Sequence, residues 1–356
     1  MRRLVLVGGG HAHLFVLEAL GAAPEPGLAV TLVSPAALSL YSGMAPGVIA
    51  GTYAQRAAQI DVARLARRAG AAFVAARVVA IDAAARQLYT DAGDPLDYDQ
   101  ASFDVGAATA LEIPVDAGAT VVPVKPLEGT LIALCAPLAG AVAILGAGAA
   151  GVELAFALAA RRSAVTLLDL APTPLPSFHP RVRRLAVRAL AAAGVTWRGN
   201  ASATEVARDG VRLRDGGHVA AALVVAASGV GRQTLFAAAG LPTDALGALT
   251  VGDDLRCIGH PELFAAGDCA ALVGHPRLAR SGVHAVRQGP LLVRNLGAAF
   301  RGAALAPYRP RPHSLALLST ADGRAILAYG GLTAHNAAAW RLKDWIDRRF
   351  IARFDR

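Results

Sequence analysis

The chain of 356 residues is long enough for two or three domains with substantial cores, and a single domain of this length would be unusual. Its formal net charge of +9 lies entirely towards the C-terminus, because residues 277–356 carry 14 basic and only 4 acidic side chains. The cysteines Cys135, Cys257 and Cys269 form no CxxC pair and no metal-ligand spacing, which argues against a disulfide-stapled secreted fold and against a metal site. No secretory signal is apparent either, so we expect a protein of the reducing cytoplasm.

The chain opens with an apolar strand at 4–7, a glycine turn at 8–10 and an apolar helix over about 12–21, and a second apolar strand follows. This order predicts the start of a βαβ unit. A glycine turn between strand and helix can place a pyrophosphate on backbone N–H groups at the positive end of the helix. We therefore predict a dinucleotide site at Gly8 and Gly10.

This first turn departs from the usual fingerprint. His13 stands at the third glycine position, and Ser34 stands where the second strand usually ends in an acid. A hydroxyl at Ser34 can still bond a ribose, although less strongly than a carboxylate does. His11 and His13 could face a cofactor, or they could be capping and packing residues.

The middle of the first unit is harder to interpret. Residues 73–81 and 87–89 are strand candidates, and the Gly-, Pro- and Asp-rich segment 91–99 favours turns. Residues 112–129 contain several prolines and resemble a linker.

From residue 142 the order of strand, glycine turn, helix and strand recurs, with a complete fingerprint. Gly146 permits the tight turn, Gly148 lets the backbone approach phosphate, and Gly151 lets the helix pack close to the strand. Asp169 follows the next strand, where a carboxylate can accept ribose hydroxyls and would repel a 2′-phosphate. The second turn is therefore predicted to bind NAD(H) rather than NADP(H).

The rest of the second unit is predicted to hold a helix over about 181–193, short strands near 195–225, and a buried strand at 224–227 that ends in a turn at Gly229. A further strand ends at Gly267, and a helix follows over about 283–300.

Gly267-Asp268, at the end of the strand Leu-Phe-Ala-Ala, resembles the second flavin motif of flavoproteins with two dinucleotide-binding domains. In that superfamily the aspartate holds the ribityl chain of FAD, a role that the resemblance assigns to Asp268. The resemblance also implies FAD at the first turn and NAD(P)H at the second.

Four segments narrow the resemblance: Gly-Gly-Gly-His-Ala-His-Leu at 8–14, Leu-Tyr-Ser-Gly-Met-Ala-Pro-Gly at 40–47, Val-Pro-Val-Lys-Pro at 122–126 and Ala-Val-Arg-Gln-Gly-Pro at 285–290. They look like the flavoprotein domain found fused ahead of selenide, water dikinase. That domain is itself similar to type II NADH:quinone dehydrogenases, and the similarity covers nearly the whole chain.

The resemblance implies an α/β fold with two Rossmann-like domains, arranged as in glutathione reductase with a discontinuous FAD domain. The expected domains are the first part of the FAD domain at 1–112, an NAD(P)H domain at 113–248, the second part of the FAD domain at 249–304, and a C-terminal region at 305–356. The implied cofactor contacts are Gly8, Gly10, His11, Ser34, Gly267 and Asp268 for FAD, and Gly146, Gly148, Gly151, Asp169 and Gly229 for NAD.

The implied activity is hydride transfer from NADH to the flavin and onward to a quinone-like acceptor. By resemblance, Glu153 reaches towards the nicotinamide and Gln288 lies near the acceptor pocket. Lys125 could add positive charge at the edge of the flavin where reduction leaves negative charge. Glu153 could instead only satisfy N–H groups of the first helical turn. The segment 41–44 holds no thiol, so dithiol relay to a disulfide substrate is not expected. A sulfide- or selenium-linked oxidoreductase and a non-turnover FAD/NADH binding module remain alternatives.

The tail from 340 to 354 has the pattern of a basic amphipathic helix. Leu342, Trp345 and Phe350 lie on one face, and Lys343 lies with the arginines mostly elsewhere. Such a helix could lie in a lipid interface at the inner face of the cell membrane, or pack on its own domain with a solvated charged face. Nucleic acid is not expected as a partner, since no recognition helix or aromatic-interleaved basic sheet is apparent. We expect a monomer or a homodimer.

Overall fold

A computed structural model describes residues 1–109, 111–229 and 231–355. The strands are, in chain order, β1 (Arg2–Val7), β2 (Leu28–Val33), β3 (Leu38–Leu40), β4 (Gln59–Asp61), β5 (Ala72–Val74), β6 (Val78–Asp82), β7 (Gln87–Thr90), β8 (Gly93–Asp97), β9 (Gln100–Phe103), β10 (Val121–Pro123), β11 (Val142–Leu145), β12 (Val165–Leu168), β13 (Thr196–Arg198), β14 (Ala203–Ala207), β15 (Gly210–Leu213), β16 (His218–Ala220), β17 (Leu223–Ala226), β18 (Leu249–Val251), β19 (Arg256–Cys257), β20 (His260–Ala265), β21 (Ala270–Leu272), β22 (Ala316–Ser319), β23 (Ala325–Tyr329) and β24 (Leu332–Asn336). The helices are α1 (His11–Ala22), α2 (Ala45–Ile49), α3 (Val62–Arg68), α4 (Leu127–Cys135), α5 (Ala149–Ala160), α6 (Pro180–Ala192), α7 (Leu235–Ala238), α8 (Gly282–Phe300) and α9 (Ala337–Phe354).

The larger sheet has the strand order β21-β18-β19-β20-β9-β1-β2-β5, so its strands come from both ends of the sequence. Its centre is parallel, with Leu4 opposite Val30 on β2 and Gln100 on β9, and Leu263 on β20 opposite Ala101. Carboxyl ends of parallel strands meet at one edge of a sheet. This pairing therefore brings the residues after β1, β9 and β20 together.

The second sheet has the order β10-β17-β11-β12-β13, and all its pairs are parallel. All four residues of β11 and of β17 are buried, as expected for central parallel strands covered on both faces. The pairing brings the glycine turn after β11 to the same edge as the residues that follow β12 and β17.

In three connecting segments the structure differs in detail from the sequence predictions. Residues 73–81 form two strands, β5 and β6, in different sheets, because the chain leaves the large sheet after Val74. The segment 91–99 holds β8, an exposed edge strand in which Pro95 falls at an irregularity of the pairing with β7, where a proline is tolerated. The segment 112–129 contributes β10 to the second sheet and is more than a linker.

The C-terminal region folds as the antiparallel sheet β22-β23-β24 followed by α9. Asn336 caps α9 by accepting a hydrogen bond from the Ala339 N–H at 2.8 Å. Phe354 is 2% exposed and packs edge-on against Phe15 of α1, with ring centroids 5.2 Å apart. The helix is thus packed on the domain that contains the first glycine turn, although Trp345 remains 58% exposed.

Candidate active site

The first glycine turn joins β1 to α1 at the edge of the large sheet. Gly8 has a left-handed φ of +95°, which side-chain-bearing residues rarely adopt. A Cβ at Gly10 would overlap the carboxylate of Asp104, which follows β9. Within the described part of the chain, the N–H groups of Gly9, Gly10 and His11 donate to no protein acceptor. The turn therefore offers several free donors at a helix N-terminus.

Sequence reasoning missed Asp104, which is 4% exposed. Its Oδ2 accepts the N–H groups of Ala12 and His13 at 2.7 and 3.2 Å, so it caps α1 from a neighbouring strand. Burial raises its pKa to about 7, although these two hydrogen bonds act to lower it. The only sequence signal was an acid directly after a buried strand, as at Asp169.

His13 explains the missing third glycine of the fingerprint. Its ring is fully buried, with Nδ1 2.7 Å from the Gly8 carbonyl oxygen and Nε2 2.9 Å from the Ser102 hydroxyl. Burial lowers its pKa to about 4, so the ring is neutral. Of the two possibilities for His13, the structure supports the packing role.

Asp268 lies at the same edge of the sheet, after β20. Lys125 forms an ion pair with its Oδ2, whereas Oδ1 is buried and has no hydrogen-bond partner among the described residues. A buried carboxylate oxygen without a partner is costly unless a ligand donor reaches it. His11 lies nearby, and burial lowers its pKa to about 4 despite the charge of Asp268.

Gln288 is buried beside the turn that follows β20. It is 1% exposed on α8, and its Oε1 accepts the N–H of Gly267 at 2.7 Å. Its role in the structure is to hold the Gly267-Asp268 turn. Ser34, also buried, lies at the end of β2 beside Gly9, and its hydroxyl donates to the Ala36 carbonyl at 3.0 Å.

The second glycine turn has the spacing of the fingerprint. Gly146 has φ +106°, and a Cβ there would lie 2.7 Å from the Ala227 carbonyl. A Cβ at Gly151 would overlap the Gly146 carbonyl oxygen, which explains why the helix needs glycine there. Gly148, in contrast, faces open space.

Asp169 closes the second turn. Its Oδ2 accepts the Ala147 N–H at 2.6 Å, and its Oδ1 accepts the Ala171 N–H at 2.8 Å. These bonds fix the carboxylate at the end of β12, beside the turn. Gly229 lies after β17 at the same edge, with φ +76° and open space where a Cβ would be.

Glu153 lies on α5, and its Oε1 accepts the Ser319 N–H of β22 at 2.8 Å. It is thus not engaged with N–H groups of its own first turn. Burial raises its pKa, which the charge of Lys343 on α9 acts to lower. Glu153 therefore belongs to a buried charge network that joins the second glycine unit to the C-terminal region.

Lys343 is the cation of that network, and its expected place on a solvated face was wrong. Its Nζ donates to the Gly43 carbonyl at 2.7 Å and to Asp347 Oδ2 at 2.9 Å, and the side chains of Lys343 and Asp347 are 9% and 5% exposed. Burial acts to lower the pKa of Lys343, but Glu153 and Asp347 together raise it. The helical pattern could not show this, because the acids that enclose Lys343 come partly from α5.

An aromatic cluster lies between this network and the first turn. Tyr41 stacks on Phe350 of α9 with centroids 4.5 Å apart and planes 22° from parallel. His11 approaches both rings, at 5.5 and 5.7 Å. Burial and the neighbouring Asp347 raise the pKa of Tyr41.

The thiols are not suited to redox chemistry. Cys269 is fully buried, its Sγ donates to main-chain oxygens of Ala266 and Phe103, and burial raises its pKa to about 12. Burial likewise raises the pKa of Cys257 to about 12. Such thiols stay protonated and unreactive at neutral pH.

The two turns fit the expected cofactors. The free N–H groups at 9–11 suit a pyrophosphate, and the unpartnered Oδ1 of Asp268 suits a sugar hydroxyl. The open space at Gly148 leaves room for a second dinucleotide. Within the described residues, no helix has both the length and the apolar character to cross a bilayer, and no cluster of side chains is arranged to hold a metal ion.

Comparisons with known proteins agree with this arrangement. The family described as pyridine nucleotide-disulphide oxidoreductase matches residues 2–289. An NADH dehydrogenase-like protein of Mycobacterium tuberculosis is 31% identical over 296 residues, which covers 76% of this chain and 73% of the relative.

Two solved structures share the fold. The sulfide:quinone oxidoreductase of Aquifex aeolicus has a TM-score of 0.82 at 16% identity, covering 100% of this chain and 92% of that one. NDH2 from Plasmodium falciparum, in complex with NADH, has a TM-score of 0.82 at 14% identity, covering 99% and 97%. The predicted fold class is confirmed.

Proposed function

The chain belongs to the pyridine nucleotide-disulphide oxidoreductase family, whose members are NAD(P)H-dependent flavoproteins, and we propose that it oxidises NADH through bound FAD and reduces a quinone-like acceptor. The single observation that carries this proposal is the pair of glycine turns, each at the carboxyl ends of parallel strands in its own sheet, with Asp268 at the first of these edges and Asp169 at the second.

FAD would lie at the first turn, with Gly8 and Gly10 at the pyrophosphate and Asp268 at the ribityl chain. Gln288 positions Asp268 through the Gly267 N–H. When bound, FAD supplies the redox chemistry by taking a hydride from the nicotinamide and releasing electrons to the acceptor. Lys125, beside Asp268, would hold a positive charge at this site, which favours the negative charge that reduction leaves on a flavin.

NADH would lie at the second turn, and Asp169 supports the preference over NADPH. Its carboxylate is fixed by two backbone N–H groups beside the turn. An anionic group held there accepts ribose hydroxyls and repels a 2′-phosphate. Gly229, at the same edge, leaves the backbone accessible to the nucleotide.

Glu153 would hold or release a proton at its free Oε2, since Oε1 is bonded to Ser319. Burial raises its pKa, so Glu153 holds a proton more readily than an exposed carboxylate does. Lys343 keeps this acid in place electrostatically.

The acceptor would be planar and would require no protein thiol. Tyr41, Phe350 and His11 form an aromatic cluster beside the first turn, and aromatic rings suit contact with a planar acceptor. The Aquifex aeolicus enzyme of similar fold is named for its quinone acceptor. The buried, protonated Cys257 and Cys269 make sulfide a poorer substrate for this chain.

A peripheral contact with the inner face of the cell membrane would use the outer side of α9. Trp345 is 58% and Leu342 38% exposed, and Arg349 lies over the Trp345 ring at 5.5 Å. Aromatic and basic side chains together suit a lipid interface.

The acceptor is tested by rapid mixing of the NADH-reduced holoprotein with a soluble quinone, with sulfide:NAD⁺ turnover measured in parallel. We expect the quinone to reoxidise the flavin within the turnover time and sulfide to give no reduction. Reoxidation that is no faster with quinone than with dissolved oxygen alone would overturn the quinone assignment. Reduction of the flavin by sulfide would favour the sulfide-linked alternative.

A further inference from the structure

The FAD site contains a second acid that the proposed function does not use, and the inference about it rests on that function. Asp104 follows β9 and lies directly beneath the first glycine turn. Its carboxylate takes the N–H groups of Ala12 and His13, the second and third residues of α1. A pyrophosphate at this turn would share the same helix end with a buried carboxylate.

The electrostatic conflict follows from that geometry. A helix N-terminus offers roughly half a unit of positive charge. A carboxylate and a pyrophosphate would together bring about three negative charges to it. The helix end alone cannot balance them, and Asp104 has almost no access to water.

Among the residues that the structure describes, none of the groups around Asp104 supplies it with a cation. Asp268 adds a further negative charge and raises the pKa of Asp104. His13 and His11 on α1 are neutral, since burial lowers their pKa values to about 4, and Cys269 is a protonated thiol. The cation at this edge, Lys125, is paired with Asp268.

The two oxygens of Asp104 are not equivalent. Both hydrogen bonds from α1 go to Oδ2. Oδ1 lies on the side of the glycine turns, where a Cβ at Gly267 would come within 2.8 Å of it and a Cβ at Gly10 would overlap it. A proton on Oδ1 would therefore leave the cap of α1 intact.

We propose that Asp104 is a positioning residue of the FAD site whose Oδ1 takes up one proton from solvent when the pyrophosphate binds. The protonated acid still accepts the two N–H groups through Oδ2 and fixes the turn, while the negative charge beside the pyrophosphate is removed. FAD binding is consequently linked to pH. In the free protein the acid ionises near neutrality, so affinity is full below about pH 7 and falls above it.

The test measures FAD dissociation from the holoprotein on dilution, by the fluorescence of released FAD, at pH 6, 7, 8 and 9. For the wild-type chain we expect the dissociation constant to rise by up to about tenfold per pH unit above pH 7, the limit for one linked proton. Asp104→Asn keeps an acceptor for the α1 N–H groups and carries no charge. We expect its dissociation constant to change less than about twofold over the range, because no linked proton remains.

Two further variants make the result specific. Asp104→Ser carries a hydroxyl that can also cap a helix, and it should abolish the slope as Asp104→Asn does. It serves as the uncharged variant if Asp104→Asn fails to fold. Asp116→Asn, at an exposed acid whose Oδ1 accepts the Gly118 N–H, should keep the wild-type slope.

A flat wild-type profile, or a slope that persists in both Asp104 variants, would overturn the inference. A slope lost in Asp268→Asn but kept in Asp104→Asn would assign the proton to Asp268 and also overturn it. Absence of bound FAD at every pH would instead refute the proposed function, so the two failures are distinguishable.

Discussion

Replacing Lys343 by Met should destabilise the protein more than any surface substitution on α9. The Lys343 ammonium lies 2.9 Å from Asp347 Oδ2 and 2.7 Å from the Gly43 carbonyl oxygen, with the Lys343 and Asp347 side chains 9% and 5% exposed. Methionine fills the space of the stem but leaves Asp347 and Glu153 buried without their cation. Removing one partner of a buried ion pair costs about 3–5 kcal/mol.

The assay is urea unfolding of the holoprotein, followed by the fluorescence of Trp340 and Trp345 on α9 in a Trp197→Phe background. Arg341→Met on the same helix is the matched control, since Arg341 is exposed and should change the unfolding free energy by at most about 0.5 kcal/mol. Adding Asp347→Asn to Lys343→Met removes one of the two uncompensated charges, since Glu153 remains, and should restore about half of the lost unfolding free energy.

The loss of unfolding free energy caused by Lys343→Met should depend on pH. Burial raises the pKa of Asp347 and of Glu153, so protonation of either favours the folded state as pH falls. The loss of unfolding free energy in Lys343→Met, relative to the wild-type chain, should therefore be largest near pH 8 and smaller at pH 5. A loss below about 1 kcal/mol, or a double variant no more stable than the single one, would refute the buried-pair reasoning.

Four other predictions follow from the two turns and from α9. Asp268→Asn should weaken FAD binding roughly 10- to 150-fold, measured by flavin release, because a charged hydrogen bond contributes about 1.5–3 kcal/mol; an unchanged affinity would contradict the ribityl assignment. Asp169→Arg should shift the ratio of kcat/KM values from NADH towards NADPH. An unchanged ratio would show that the adenosine ribose does not lie at Asp169. Gly151→Ala should raise the dissociation constant for NADH at least about tenfold in a binding titration, because the added methyl overlaps the Gly146 carbonyl oxygen and displaces α5; near-wild-type binding would contradict that close approach. Trp345→Glu should reduce co-sedimentation with anionic liposomes while leaving NADH oxidation with a soluble quinone unchanged, and equal co-sedimentation would argue against α9 as the lipid contact.

The elements that could be predicted from the sequence are those with a local signal, either a hydrophobic periodicity or a glycine turn at the end. The two strand-turn-helix units and the helices realised as α6, α8 and α9 appear close to the expected bounds, because buried strands, glycine turns and helical patterns are local signals. The resemblance to the flavoprotein superfamily is confirmed by the family match and the mycobacterial relative.

What the sequence could not show depends on pairing between distant strands. Asp104 matters only because β9 lies between β1 and β20, which places it beneath the turn at Gly10. Lys343 matters because Glu153, far away in the sequence, approaches it through α5. Gln288 was assigned by resemblance to the acceptor side, and its bond to the Gly267 N–H became visible only in three dimensions.

The central claim, that NADH at the second turn reduces FAD at the first, is tested most directly by anaerobic titration of the purified holoprotein with NADH. We expect one FAD per chain and loss of the oxidised-flavin absorption with one equivalent of NADH, more readily than with NADPH. A protein purified without flavin, or a bound flavin that excess NADH never reduces, would contradict it.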